Sequence, residues 1–163
     1  MLEPTPLLTF SFLDWFKKQN TKNFNLVEFG CGNSTIYFSR YFKKIISYED
    51  DPVYIQHIKN LKLSNVVIEP FNFKTIAEPS FKQSIEEAQY ILIDNNYKNI
   101  SREVIAKNLI DVYNYQNLLI LDNGNWNPEA YFYLKQKYKN AYDFGWRNIK
   151  NDETITTVFV DRI

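Results

Sequence analysis

Two glycines and a pair of carboxylates stand where a chain can cradle a nucleotide-like ligand. In Asn25-Leu-Val-Glu-Phe-Gly-Cys-Gly-Asn-Ser-Thr35 an apolar run meets Gly30 and Gly32 and passes into a helical pattern, with Glu28 just ahead of the turn. The next apolar run closes on Glu49, nineteen residues after Gly30. In a strand–helix–strand unit the glycine turn lets a ligand approach the backbone, and a carboxylate ending the second strand can take a pair of ribose hydroxyls. The chain has four glycines and spends two of them at this turn. The bland alternative is an ordinary connection whose glycines satisfy positive φ angles. Asp94 and Asp122 end two later apolar runs. Four acids therefore share the edge where open α/β sheets bind ligands.

The elements that must position these groups alternate along the chain. Strands are expected over 25–29, 45–49, 65–69, 90–94 and 118–122, with helices over 34–42, 53–61, 101–113 and 128–138. Tyr90-Ile-Leu-Ile and Leu118-Leu-Ile-Leu are continuous apolar runs, as strands covered on both faces require. Residues 141–146 and 154–160, separated by the polar stretch 148–153, read as an antiparallel pair. At 163 residues and 45% apolar content the chain has the size of one domain with a substantial core. Lysine plus arginine balances aspartate plus glutamate at 19 each, so no positive field favours nucleic acid, which is not expected as a partner. Cys31 is the only cysteine; a reducing, cytoplasmic setting suits it. Residues 7–19 predict an N-terminal amphipathic helix, too short and too charged to anchor the chain in a membrane. Its apolar stripe packs on the core or, alternatively, makes a homodimer.

From Asn25 nearly to its end, the chain resembles the class I S-adenosylmethionine-dependent methyltransferases. Glu28-Phe-Gly-Cys-Gly32 is similar to that family's acid-x-Gly-x-Gly loop, and Glu49 to the acid ending its second strand. Asp94 and Asp122-Asn123 are similar to strand-end positions of its metal-dependent O-methyltransferases. Ser34 stands where many members have a third glycine, and Asn114-Tyr-Gln-Asn117 replaces the usual Pro-Gly-Gly approach to strand five. The resemblance implies a Rossmann-like, doubly wound α/β fold. Its seven-stranded sheet would have order 3-2-1-4-5-7-6 and an antiparallel C-terminal hairpin. It also implies S-adenosylmethionine as cofactor and methylation of a small-molecule acceptor, on oxygen in the metal-dependent branch.

Glu28 adds a charge argument. A pyrophosphate on the loop would be repelled by it, whereas a sulfonium and an ammonium would be attracted. Thr35, at the third small position of a dinucleotide fingerprint, hinders close helix–strand packing. The alternatives are an NAD-binding oxidoreductase and a noncatalytic association domain with the same fold. Cofactor-binding candidates are Glu28, Gly30, Gly32, Ser34, Thr35, Glu49, Asp50, Asn72 and Asp94, Asn72 being placed for the adenine edge. If strands four and five are neighbours, about 4.8 Å apart, then Asp94, Asp122 and Asn123 could hold Mg²⁺ as template and Lewis acid. Alternatively, Asp94 positions the methionine end of the cofactor while Asp122 and Asn123 shape a turn. Asp94 and Lys98 are the catalytic candidates, Lys98 as general base if its environment lowers its pKa. His57 falls in a helix remote from the strand ends and is expected on the surface.

Overall fold

The computed structural model describes residues 5–150 and 153–163. Its elements alternate as the apolar pattern requires: α1 (Phe10–Phe16), β1 (Asn25–Phe29), α2 (Asn33–Phe38), β2 (Lys44–Glu49), α3 (Pro52–Asn60), β3 (Val66–Pro70), α4 (Pro79–Glu87), β4 (Tyr90–Ile93), α5 (Arg102–Lys107), β5 (Leu118–Leu121), α6 (Pro128–Lys135), β6 (Tyr138–Arg147) and β7 (Glu153–Arg162). The strands form one sheet of order β3-β2-β1-β4-β5-β7-β6. β3 to β5 run parallel, while β7 lies antiparallel to both β5 and β6. This is the expected order with the expected terminal hairpin. Asn151 and Asp152, in the polar stretch between the hairpin strands, lie outside the described residues.

Strand alternation sorts the core into two layers. Val27, Phe29, Ile91, Ile93, Leu119 and Leu121 point to one face, where α4, α5 and α6 supply Phe81, Ile85, Ile105 and Leu134. Leu26, Leu92 and Ile120 point to the other face, against Phe12 and Phe16 of α1 and Phe38 of α2. Helix α1 occupies Phe10–Phe16, within the longer span expected. Phe12 and Phe16 are fully buried, each contributing about 1.5–3 kcal/mol by burial. Phe144 of β6 meets the rings of both Phe12 and Trp15. The apolar stripe thus packs on the chain's own core, the first of the two roles expected for it, under the hairpin and against α2.

The structure makes three local corrections. Helix α4 went unpredicted. The expected 101–113 helix is α-helical only over Arg102–Lys107 and continues as a π-helical turn over Asn108–Val112. Residue 138, read as the end of a helix, instead starts β6. Proline at the first helical turn and a side-chain cap, Asp51 Oδ1 accepting from Val53 N–H at 2.8 Å, start α3 as the sequence indicates. Among the described residues no helix is long and apolar enough to cross a membrane.

Candidate cofactor site

The turn after β1 contains two glycines with different reasons for being there. Gly30 has φ +96°, and a Cβ on it would lie 2.8 Å from the Asp94 carbonyl oxygen and 3.0 Å from Asn95 Cα. Both the positive φ and the close approach to the end of β4 exclude a side chain. Its N–H donates to the Tyr48 carbonyl and to Tyr97 Oη, each at 2.9 Å, and Tyr97 Oη donates in turn to the Tyr48 carbonyl. Gly32 has φ 170°, an extended angle open to any residue. A Cβ there would meet nothing within 4 Å. Neither conformation nor packing inside the chain calls for glycine at 32; its bare backbone faces open space at the carboxyl edge of the sheet.

Beneath the turn, Glu28 is completely buried. Its carboxylate accepts hydrogen bonds from Ser34 Oγ, from Thr35 Oγ1 at 2.6 Å and from Ser47 Oγ at 2.9 Å. Thr35 Oγ1 also accepts from Gly32 N–H at 3.0 Å. Burial pushes the Glu28 carboxyl up to about 7 against the pull of the three hydroxyls, and the nearby Asp94 charge adds to the rise. Glu28, Ser34 and Thr35 therefore brace the loop from below. All three are buried, with the two hydroxyls turned to the carboxylate.

Glu49 ends β2 beside the loop, close to fully buried at 7% exposure. Oε2 accepts from Cys31 N–H at 2.8 Å, and Oε1 accepts from Asp50 N–H at 2.9 Å and Asp51 N–H at 3.0 Å. Burial raises its pKa while these three N–H groups oppose the rise. Asp50 is exposed, and its Oδ2 accepts from the backbone N–H of Lys98 at 3.3 Å. The two loops after β2 and β4 thus meet at the rim. Lys98 itself is exposed there, and among the described residues no hydrogen bond or ion pair holds its amine. Asn72, in the loop after β3, is exposed and turns its Oδ1 to Lys74 N–H at 2.8 Å. His57 is exposed on α3.

Asp94 and Asp122 do converge, as adjacent strands require, but around an arginine. Arg102 Nη2 donates to Asp94 Oδ1 at 3.1 Å, Nε donates to the Asn95 carbonyl at 3.0 Å, and Nη1 donates to the Asp122 carbonyl. Asp122 Oδ1 accepts from Thr156 Oγ1 at 2.6 Å, while its buried Oδ2 has no donor. Burial and the Asp94 charge push Asp122 up to about 8. Asn123 stands at φ +49° with its amide donating to Thr154 Oγ1 at 2.8 Å, turned toward β7.

These residues do not fit Mg²⁺. A guanidinium already neutralises Asp94, Thr156 donates to Asp122 Oδ1, and the Asn123 amide is engaged with Thr154. Among the described residues no group of three or more His, Cys, Asp or Glu side chains could hold a metal. Arg102 was not recognised from the sequence. Its signal was available: a cation in the first turn of a helix opposes the macrodipole, so an arginine directly after the Ser101 cap needs an anionic partner.

No protein-family model and no curated protein sequence matches the chain. Solved structures do. A dimethyladenosine transferase from Plasmodium falciparum superposes with a TM-score of 0.63 at 14% identity, over 95% of this chain and 63% of the other. A Streptococcus pneumoniae protein, provisionally named a tRNA (m1A22) methyltransferase and in complex with S-adenosyl-L-methionine, gives 0.60 at 14%, over 93% and 73%. The precorrin-6y C5,15-methyltransferase of Geobacter metallireducens GS-15 gives 0.61 at 12%, over 93% and 87%. The fold is that of the Rossmann-like methyltransferases. The chain spans less than two thirds of the length of the Plasmodium protein. Sheet order also separates it from the dinucleotide-binding fold, whose sixth strand continues the order 3-2-1-4-5-6; here the antiparallel β7 inserts between β5 and β6.

Proposed function

We propose that this protein is an S-adenosylmethionine-dependent methyltransferase acting on a small-molecule acceptor. The observation that carries the reading is Gly32: in a methyltransferase-type sheet, it leaves bare backbone facing open space at the edge where such sheets bind ligands. S-adenosylmethionine, when bound, supplies an electrophilic methyl group on a sulfonium. In this assignment Gly32 admits the methionine end, Glu49 accepts from ribose hydroxyls, and Asn72 offers its side chain to the adenine edge. Asp50 lines the rim between them. Asp94, whose side chain keeps 21% exposure, accepts a hydrogen bond from the acceptor and takes its proton as the methyl–acceptor bond forms. Lys98 is kept as a rim residue that can orient an anionic acceptor group.

The preference for oxygen over nitrogen in the acceptor leaned on a metal-held hydroxyl pair, and that support is gone. What remains is an acceptor bearing an O–H or N–H that Asp94 can reach. The balance of 19 basic and 19 acidic residues favours a small molecule over a polyanion. One of the similar structures is named for tRNA, so RNA belongs in the acceptor screen rather than outside it. The reading is tested by calorimetric titration with S-adenosylhomocysteine, on the wild type and on Glu49→Ala. Binding that falls by about tenfold or more on mutation supports it; no binding by the wild type refutes it.

A further inference from the structure

The cation at the centre of the site belongs to the chain itself. Arg102 is 8% exposed and sits in the first turn of α5, where the helix dipole disfavours positive charge. Its guanidinium links three groups from the ends of two adjacent strands: the Asp94 carboxylate, the Asn95 carbonyl and the Asp122 carbonyl. β4 and β5 pair up to Ile93 and Leu121, so these groups sit immediately beyond the last paired residues. A divalent ion bridging the two strand ends would make comparable links. The guanidinium makes them with a planar fork of donors, a delocalised charge and weak hydration, which suits a dry position better than an ammonium.

We propose that Arg102 is a positioning residue, an internal cation that takes the place of a divalent metal at the end of β4 and β5 and fixes Asp94 toward the acceptor. This rests on the methyltransferase reading for its purpose but not for its geometry. The consequence is specific. A metal entering between Asp94 and Asp122 would have to displace or face a fixed positive charge a few ångströms away, so the wild type excludes divalent ions. Removal of the guanidinium leaves carboxyl and carbonyl oxygens from two strands converging on the vacated space, an oxygen-rich set of the kind that hard divalent ions take.

The test uses the whole protein with Mn²⁺ as the probe, followed by electron paramagnetic resonance of bound and free ion, together with S-adenosylhomocysteine titrations in Mg²⁺ and in chelator. Wild type is expected to show no stoichiometric Mn²⁺ binding and S-adenosylhomocysteine affinities within about twofold in the two conditions. Arg102→Ala is expected to gain Mn²⁺ affinity by about tenfold or more, while Arg102→Lys, which keeps the charge but not the fork, still excludes the ion. Stoichiometric Mn²⁺ binding by wild type that disappears in Asp94→Asn overturns the proposal, as does an Arg102→Ala protein that folds and gains no Mn²⁺. If Arg102→Ala does not fold, the wild-type Mn²⁺ measurement and Arg102→Lys decide it. Absent S-adenosylhomocysteine binding by a wild type that excludes Mn²⁺ removes the methyltransferase reading and leaves Arg102 in place. Binding that requires the metal does the reverse.

Discussion

Alanine at Gly30 and at Gly32 should have opposite effects, because the first glycine serves the chain and, in the proposed assignment, the second serves the ligand. At Gly30, φ +96° and a Cβ lying 2.8 Å from a carbonyl oxygen are both unfavourable, and the neighbours are backbone atoms that cannot swing aside. A positive φ costs a residue with a Cβ about 1–2 kcal/mol, and the overlap about 1–3 kcal/mol. Gly30→Ala should therefore lose about 2–5 kcal/mol, a melting-temperature fall of about 4–20 °C for a chain of this length. At Gly32 the backbone is extended and the space empty. Replacing glycine at an N-cap by alanine costs up to about 1 kcal/mol, and the stiffer unfolded chain returns about 0.4–1 kcal/mol. Stability should stay within about 1 kcal/mol. The new methyl group nevertheless occupies the space assigned to the methionine end, and S-adenosylhomocysteine affinity should fall by about tenfold or more, which is about 1.4 kcal/mol. Thermal melts and calorimetric titrations of both variants measure the two quantities separately. Wild-type affinity in Gly32→Ala would refute the placement of the donor over this turn.

Two further perturbations probe the groups beneath the turn. The Glu28 carboxyl rises from 4.5 in the unfolded chain to about 7 in the fold, so its contribution to stability is largest below about 4.5, declines as pH rises and levels off above about 7, a change of about 3 kcal/mol. Glu28→Gln should remove that slope, and wild-type and variant denaturation curves running parallel from pH 4 to 8 would show the burial argument to be mistaken. Tyr97→Phe deletes a hydroxyl that donates to the Tyr48 carbonyl and accepts from Gly30 N–H, so chemical denaturation should register a loss of about 1–3 kcal/mol; an unchanged midpoint would mean water replaces the hydroxyl without cost.

The sheet was legible because its central strands are short, uninterrupted apolar runs, and a strand covered on both faces can be little else. Helix α4 was not, since Pro79–Glu87 is mostly polar and shows its core only through Phe81, Ser84 and Ile85 on one stripe. The end of α6 was overrun because Tyr138 continues the helical spacing, whereas the structure buries it as the first residue of β6. Glycine, loop and strand-end acid were readable as a group from their spacing. What each does there depends on partners distant in sequence: Ser47 for Glu28, Thr156 for Asp122, Arg102 for Asp94.

Strand alternation already determines where Glu28 points. Val27 and Phe29 pack with α4 and α5, so Leu26 and Glu28 must share the opposite face. That face is roofed by α2, whose first turn carries Ser34 and Thr35. A carboxylate on β1 one residue before the last therefore lies below a helix start and is met by hydroxyls, while a residue beyond the strand's end, as Asp94 is on β4, can reach the edge. The same logic limits how much charge is left for a cationic donor. Glu28 is enclosed, Asp94 is paired with a guanidinium, Asp122 is buried against Thr156, and Glu49 already accepts three backbone N–H groups. Under the proposed assignment, recognition at this edge rests on the shape left open at Gly32 and on hydrogen bonds exchanged at Glu49, rather than on a field of four acids.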